Sequence, residues 1–385
     1  NGEKITWETR QKGAVGRMKI DKALVQLIDR IEGQLAVLPD GKTIVQAIQK
    51  FYREGETIQQ ATFEFVNFLF GKYGLVVLLP DQAALKACME PLFADDLRYQ
   101  HASEIVTATG TKLEAAGYKV QATPRAINLF YLDEQLRERI ETDADGYRVV
   151  HTDLRFTAAA MLQLLQTNPE HFSPNVILRG LYQETILPNI AFIGGGGETA
   201  YWLQLKELFD YYKVPFPVLV LRNSFLLVED KARAQWAKTG FAMGDIFRPV
   251  PALIQELVQR DTSLPTQLNG SLEALQKLYD GFRAQAAAID TTLEQHVEAL
   301  KTKTVFRLQE LEKKMLRAAR RKFSDQQKQL EKIKERLFPG GGLQERYENI
   351  AYFYARYGNT LLDELLRHSL ALEHEFTLLQ LPAAD

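Results

Sequence analysis

Four consecutive glycines, Gly194 to Gly197, stand between the apolar run Asn189-Ile190-Ala191-Phe192-Ile193 and an acid, Glu198. Glu198 opens a helical pattern that continues through Tyr201, Trp202, Leu205, Leu208 and Tyr212, and a second apolar run, Val218 to Leu221, then ends on Arg222. Strand, glycine turn, helix and strand in this order build a ligand site at the carboxyl edge of a parallel sheet. Successive glycines lose much chain entropy on folding, so the run predicts positive φ or a close approach of backbone to another group. A dinucleotide fingerprint does not fit. G-x-G-x-x-G can be laid on Gly194 and Gly196 but meets Thr199, and no acid ends the next strand, Leu221-Arg222-Asn223. Glu198 would also repel a pyrophosphate at the helix N-terminus. A carboxylate beside backbone N–H groups suits an ammonium, a sugar hydroxyl or a ribose. It equally suits a helix dipole that needs an acid in its first turn.

These residues need a scaffold, and 385 residues are enough for two or three domains. A hydrophobic share of 46%, a charged share of 25% and a net charge of −2 describe an ordinary soluble protein with no bias toward nucleic acid or membrane. No apolar run reaches membrane-span length and no signal peptide is visible, so the expectation is a cytoplasmic protein. The single cysteine, Cys88, excludes an internal disulfide and is expected on a buried helix face within Leu85–Met89. The six histidines lack the H-E-x-x-H spacing, so no metal site is expected, and Glu364 with His368 reads as a surface pair. Neither a Walker sequence nor a G-x-S-x-G nucleophile elbow occurs.

Three parts follow from the patterning. Residues 1–165 mix helices and strands: a helix over 57–70, a buried strand over 74–79, and short strands at 118–122, 127–132 and 147–150. Residues 166–235 hold the glycine-rich unit, and 236–385 are helical. Thr291 to Leu337 contains no Pro or Gly, which predicts one long helix. Its apolar positions Leu308, Leu311, Met315, Ala318, Leu330, Ile333 and Leu337 keep coiled-coil spacing, interrupted at Lys322 and Gln326. The stretch 267–287 can supply an antiparallel neighbour, and the seam is expected to make a homodimer. Residues 301–337 carry 13 Lys or Arg against 5 Asp or Glu. That excess fits a platform for a nucleotide or acidic partner, or a solvated coiled-coil face. Pro339 to Gly342 then stop the helix, and Gln344, Glu345, Arg346 and Asn349 either face a ligand cleft or pin the helix back.

Several segments together carry a resemblance. Phe172-Ser173-Pro174-Asn175, Leu181-Tyr182-Gln183-Glu184, Phe192 to Lys206, Pro215 to Ser224, and Leu337-Phe338-Pro339 with Leu343 to Arg346 and Asn349 resemble the bacillithiol biosynthesis cysteine-adding enzyme family. Gly74 to Val77 and Asn128 to Tyr131 fit as well, so the likeness spans nearly the whole chain. Gly196 stands where the family commonly has proline, and Gly180 departs similarly after Arg179. Family members also carry a Thr-Gly-Gln-Gln motif and an Asp-His-Asp motif upstream, and neither occurs here. With a first residue that is not Met, this leads to the expectation that the first half of the core lies outside the sequence and that this chain alone is inactive.

The resemblance implies an α/β fold: a Rossmann-like nucleotidyltransferase-type core, its second half visible, with an inserted α/β segment and a C-terminal helical coiled coil. It implies a cytoplasmic ligase that joins the cysteine carboxyl to the glucosamine amine of glucosaminyl malate. The residues fix no cofactor; likeness to class I aminoacyl-tRNA synthetases and cytidylyltransferases suggests ATP or ADP. Glu198 would hold an amine or a ribose hydroxyl and Arg222 would neutralise malate or phosphate, as the catalytic pair. Gly194, Gly195, Gly196, Gly197, Tyr201, Trp202, Gln204, Ser224 and Arg346 would line the substrate or nucleotide pocket, although aromatic residues at helical spacing also make core. The alternative is a non-enzymatic coiled-coil scaffold carrying a degenerate nucleotide-binding-like domain. A sugar-nucleotide transferase on the same fold is a third reading.

Overall fold

Amphipathic spacing in the first seventy residues produces three helices, α1 (Lys22–Leu35), α2 (Gly41–Phe51) and α3 (Ile58–Phe70). Asp21 and Thr57 cap α1 and α3 by accepting the Leu24 and Gln60 N–H groups at 3.0 and 3.3 Å. The computed structural model that shows this describes residues 5–261, 268–370, 372–373 and 375–382. It divides into two compact units, the first Asn1–Ser224 with Asn349–Thr377 and Ala384–Asp385, the second Phe225–Glu348 with Leu378–Ala383. In the first unit the three helices share a core with the helix Ile350–Arg367, through Leu35, Ile44, Val45, Leu69, Tyr354 and Leu362. That helix is kinked at Gly358 (φ 53°, ψ −140°), where a Cβ would run into the Asp40 carboxylate. Only glycine meets both demands.

Beyond α3 the first unit continues with α4 (Ala83–Ala87), α5 (Glu90–Arg98) and α6 (His101–Ala115). An antiparallel sheet follows, built from β1 (Leu129–Asp133), β2 (Leu136–Asp143), β3 (Gly146–Val149), β4 (Arg155–Thr157) and, after α7 (Ala158–Thr167), β5 (Phe172–Pro174). The strand order is β4-β3-β2-β1-β5, with Phe130 opposite Arg139 on one side and Ser173 on the other. Its apolar face joins the helices in one core containing Phe93, Leu97, Ile140, Met161, Phe172 and Leu181. α8 (Val176–Ile186) then leads into β6 (Ala191–Gly194), α9 (Gly196–Leu203), α10 (Lys206–Tyr212) and β7 (Val218–Leu221), with β6 and β7 parallel.

An ion cluster ties the front of this unit together. Arg17 makes a bidentate pair with Asp81 at 2.6 and 2.8 Å, and Lys86, only 3% exposed, donates to the same carboxylate at 2.5 Å. Arg17 and Lys86 both also donate to the Glu170 carbonyl. Burial pulls the Lys86 ammonium below its ordinary pKa. Burial alone would raise Asp81, but the hydrogen bonds from Arg17 and Lys86 outweigh it and hold the carboxyl below the usual range.

The second unit contains α11 (Asp230–Ala237), α12 (Val250–Arg260), α13 (Asn269–Ile289), α14 (Leu293–Lys322) and α15 (Ser324–Leu337). Leu253, Ile254 and Val258 of α12 are buried, as are Leu330, Ile333 and Leu337 of α15, the helix it packs against. α13 and α14 form an antiparallel hairpin: Tyr279 meets Thr304 (2.9 Å) and Asp280 meets Lys301 (2.8 Å). Among the described residues no helix is long and apolar enough to cross a membrane.

Several expectations need correction. Residues 74–79 form no described strand, and Leu75, Val76 and Leu78 lie exposed. Residues 118–122 are not a strand either: the Gln204 side chain, not a neighbouring strand, takes the N–H groups of Gln121 and Ala122. The expected helix after the glycines is two helices, broken at Gln204 and Leu205. The single helix over 291–337 is α14 and α15, which break at Phe323 beside the seam-interrupting Lys322. Cys88 is exposed; in its short turn the inward positions are Lys86 and Met89.

Candidate functional site

β6 and β7 run in register from Ala191 opposite Val218 to Gly194 opposite Leu221, and the next residue, Arg222, donates its N–H to the Gly194 carbonyl at 2.8 Å. Arg222 therefore stands at the carboxyl edge of the parallel pair, beside the first glycine. None of the four glycines has positive φ, which corrects one of the two reasons expected for them. Gly194 is needed for packing: a Cβ there would press on the Phe192 ring and on Glu198 Cβ at 3.2 Å. A Cβ on Gly196 or Gly197 would meet nothing, so these two leave open backbone at the start of α9. Gly195 is the N-cap of α9, and Glu198 Oε2 accepts its N–H at 3.0 Å. Glu198 thus performs the capping role. Its carboxylate is held, half-buried, over the same turn.

The other proposed lining residues separate. Trp202, 1% exposed, stacks on Phe192 with ring centroids 4.0 Å apart and abuts Phe209 and Phe216, so it is core and not pocket wall. Gln204 is also corrected. Its amide oxygen accepts from Gln121 and Ala122 (2.8 and 3.0 Å) and its nitrogen donates to the Ala122 carbonyl (2.9 Å), which commits the side chain to backbone. Tyr201 is half-buried on α9, and Ser224 opens the strand Ser224–Val228 two residues after Arg222. Arg346 is exposed on a short turn of the second unit, Gln344–Arg346. Its neighbour Gln344 bridges the Leu227 N–H and carbonyl (2.9 and 3.1 Å), which pins that turn to the body of the unit.

Sequence reasoning missed the buried polar chain that positions β6. Asp96, fully buried, accepts from the Asn128 N–H and side-chain amide at 2.6 and 3.2 Å, and Asn175 donates to Asn128 Oδ1 at 2.9 Å. Asn175 in turn caps α8 through the Ile177 N–H at 2.8 Å. At the far end of α8 the buried Glu184 accepts the Asn189 N–H and side-chain amide at 2.8 and 2.9 Å, fixing the residue that leads into β6. A polar residue inside an apolar run, as in Leu-Tyr-Gln-Glu, was the available signal.

Burial pushes the Asp96 carboxyl up to about 6 against the opposing Asn128 hydrogen bonds. A carboxyl whose folded pKa is raised stabilises the fold most below its unfolded pKa and loses that contribution as pH rises through about 6. Urea unfolding of wild type and Asp96→Asn at pH 4 and pH 7 should show the gap between them change by roughly 2 kcal/mol, the variant faring relatively better at pH 7. A gap independent of pH would refute the raised pKa.

Comparison with known proteins agrees with this architecture. A family model described as "Bacillithiol biosynthesis BshC, N-terminal Rossmann-like domain" matches residues 1–223. A second, "Bacillithiol biosynthesis BshC, C-terminal coiled-coil domain", matches residues 225–381. A protein of Flavobacterium psychrophilum named "Putative cysteine ligase BshC" is 36% identical over 364 residues, covering 94% of this chain and 68% of its own length. Proteins of the same name from Flavobacterium johnsoniae and Salinibacter ruber are 35% and 32% identical, covering 98% and 93% of this chain and 71% and 66% of their own. With both domain models in sequence and relatives matched along almost its whole length, this chain belongs to the bacillithiol biosynthesis BshC family.

Proposed function

We propose that the protein is a ligase that forms the amide bond between the cysteine carboxyl and the glucosamine amine of glucosaminyl malate, giving bacillithiol. The observation that carries the reading is the meeting of Glu198, the open backbone of Gly196 and Gly197, and Arg222 at one edge of β6 and β7. Amide formation needs an activated carboxyl, a deprotonated amine and a group that stabilises negative charge. Glu198 supplies a carboxylate to hold an amine or a ribose hydroxyl, and Arg222 supplies the cation for malate or phosphate. In the step the amine nitrogen bonds to the cysteine carboxyl carbon, the bond from that carbon to one carboxyl oxygen breaks, and the oxygen departs with the amine's proton, as water or on the group that activated it.

ATP, when bound, would supply the activation of that oxygen as a leaving group. The residues fit its ribose better than its phosphates, because the Glu198 carboxylate already occupies the N-terminus of α9. The test is to incubate protein from the complete reading frame with cysteine and glucosaminyl malate, with and without ATP, and to read products by mass spectrometry. Bacillithiol appearing only with ATP supports an ATP-dependent ligase. No product from folded protein, together with no saturable binding of glucosaminyl malate, overturns the reading in favour of a scaffold.

A further inference from the structure

The first unit contains a concave site built from other elements than the glycine turn. A cavity of about 360 Å³ opens between β1, β2 and the N-terminus of α8, and four arginines line it: Arg125, Arg137, Arg139 and Arg179. Among the described residues no Asp or Glu lines it. Arg139 has a loose contact with Glu141 at 3.6 Å, outside the cavity lining, and no carboxylate pairs with Arg125, Arg137 or Arg179 among the described residues. Three guanidinium groups without a carboxylate partner, beside the loosely paired Arg139, repel one another around the hollow, and an anion among them relieves that repulsion.

The construction is specific. Arg137 and Arg139 are two apart on β2 and therefore project from the same face of the sheet, with Phe130 opposite Arg139. The Arg137 guanidinium carbon lies over the Phe130 ring, 3.8 Å from its centroid, a contact that holds the side chain at this face. Burial lowers its pKa with no carboxylate acting against that trend. Arg179 comes from the first turn of α8, whose dipole adds to the positive field, and Asn175 anchors that turn through the buried Asn128 and Asp96.

We infer that this cavity binds a small oxyanion of at least two negative charges, whose phosphoryl or carboxylate groups are gripped by the guanidinium forks of Arg125, Arg137, Arg139 and Arg179. Planar forks match such groups two bonds at a time, and the volume admits a molecule of pyrophosphate or citrate size. The inference does not rest on the proposed reaction, so its test measures binding and not turnover.

Isothermal titration of the protein with pyrophosphate and, separately, with citrate would be run at constant ionic strength against a chloride control. Saturable binding is expected, weakened about tenfold or more in each of Arg137→Ala and Arg179→Ala. Arg179, on the surface of α8, is the variant least able to disturb folding, and circular dichroism checks both. The stronger of the two anions identifies phosphate or polycarboxylate as the natural class. Heat equal to the chloride control, or unchanged affinity in both folded variants, overturns the assignment.

Discussion

Asp81→Ala is expected to destabilise the protein by about 3–5 kcal/mol, the largest effect of any single change described above. The reason is the ammonium left behind. Lys86 is almost fully buried and, among the described residues, Asp81 is the one carboxylate it pairs with; its other partner, the Glu170 carbonyl, carries no charge. Arg17 loses both bonds of its bidentate pair at the same time. Burial already depresses the Lys86 pKa, and without Asp81 that group should deprotonate more readily. Urea unfolding monitored by tryptophan fluorescence gives the loss directly. The double variant Asp81→Ala, Lys86→Met removes the orphaned charge and should recover part of it. A loss below about 1 kcal/mol in the single variant would show that water reaches Lys86, contrary to its burial.

Glu198→Gln and Arg222→Ala should each reduce turnover about a hundredfold in protein from the complete reading frame, with little change in stability. The two substitutions separate chemistry from architecture. Glutamine keeps an oxygen that can accept the Gly195 N–H, so the α9 cap survives while the charge goes. Arg222 is held on the sheet edge by its backbone N–H, which alanine retains. Steady-state kinetics on cysteine and glucosaminyl malate, with thermal melting as the control, measures both. Near-normal kinetics in both variants would remove this edge from the reaction and leave Glu198 as a helix cap only.

The strand-turn-helix-strand unit was legible because apolar runs, glycines and an acid lie in one short stretch, where local rules suffice. The same holds for the antiparallel neighbour of the long helix. Trp202 and Gln204 were misplaced because periodicity says which residues share a face, not what that face meets. Trp202 meets Phe192, and Gln204 meets backbone more than eighty residues earlier in the chain. Residues 74–79 read as a buried strand on composition alone, yet a strand exists only when a partner accepts its hydrogen bonds. The structural role of Asp96, Asn128, Asn175 and Glu184 was not legible, although the last three lie in the segments that carry the resemblance, because a polar residue acquires meaning from partners that sequence does not juxtapose.

The sheet around β1 also sets the order in which the first unit can assemble. In the second unit, Tyr279 and Thr304 of the α13–α14 hairpin are 25 residues apart, so that contact closes a short loop. Asn175 must find Asn128 across 47 residues, and β1 cannot complete its second edge until β5 returns. Loop-closure entropy makes the longer search slower. The hairpin should therefore form early and the α8 junction late. Because that junction positions both the arginine-lined cavity and the residue leading into the glycine turn, the two proposed sites of the first unit should mature last.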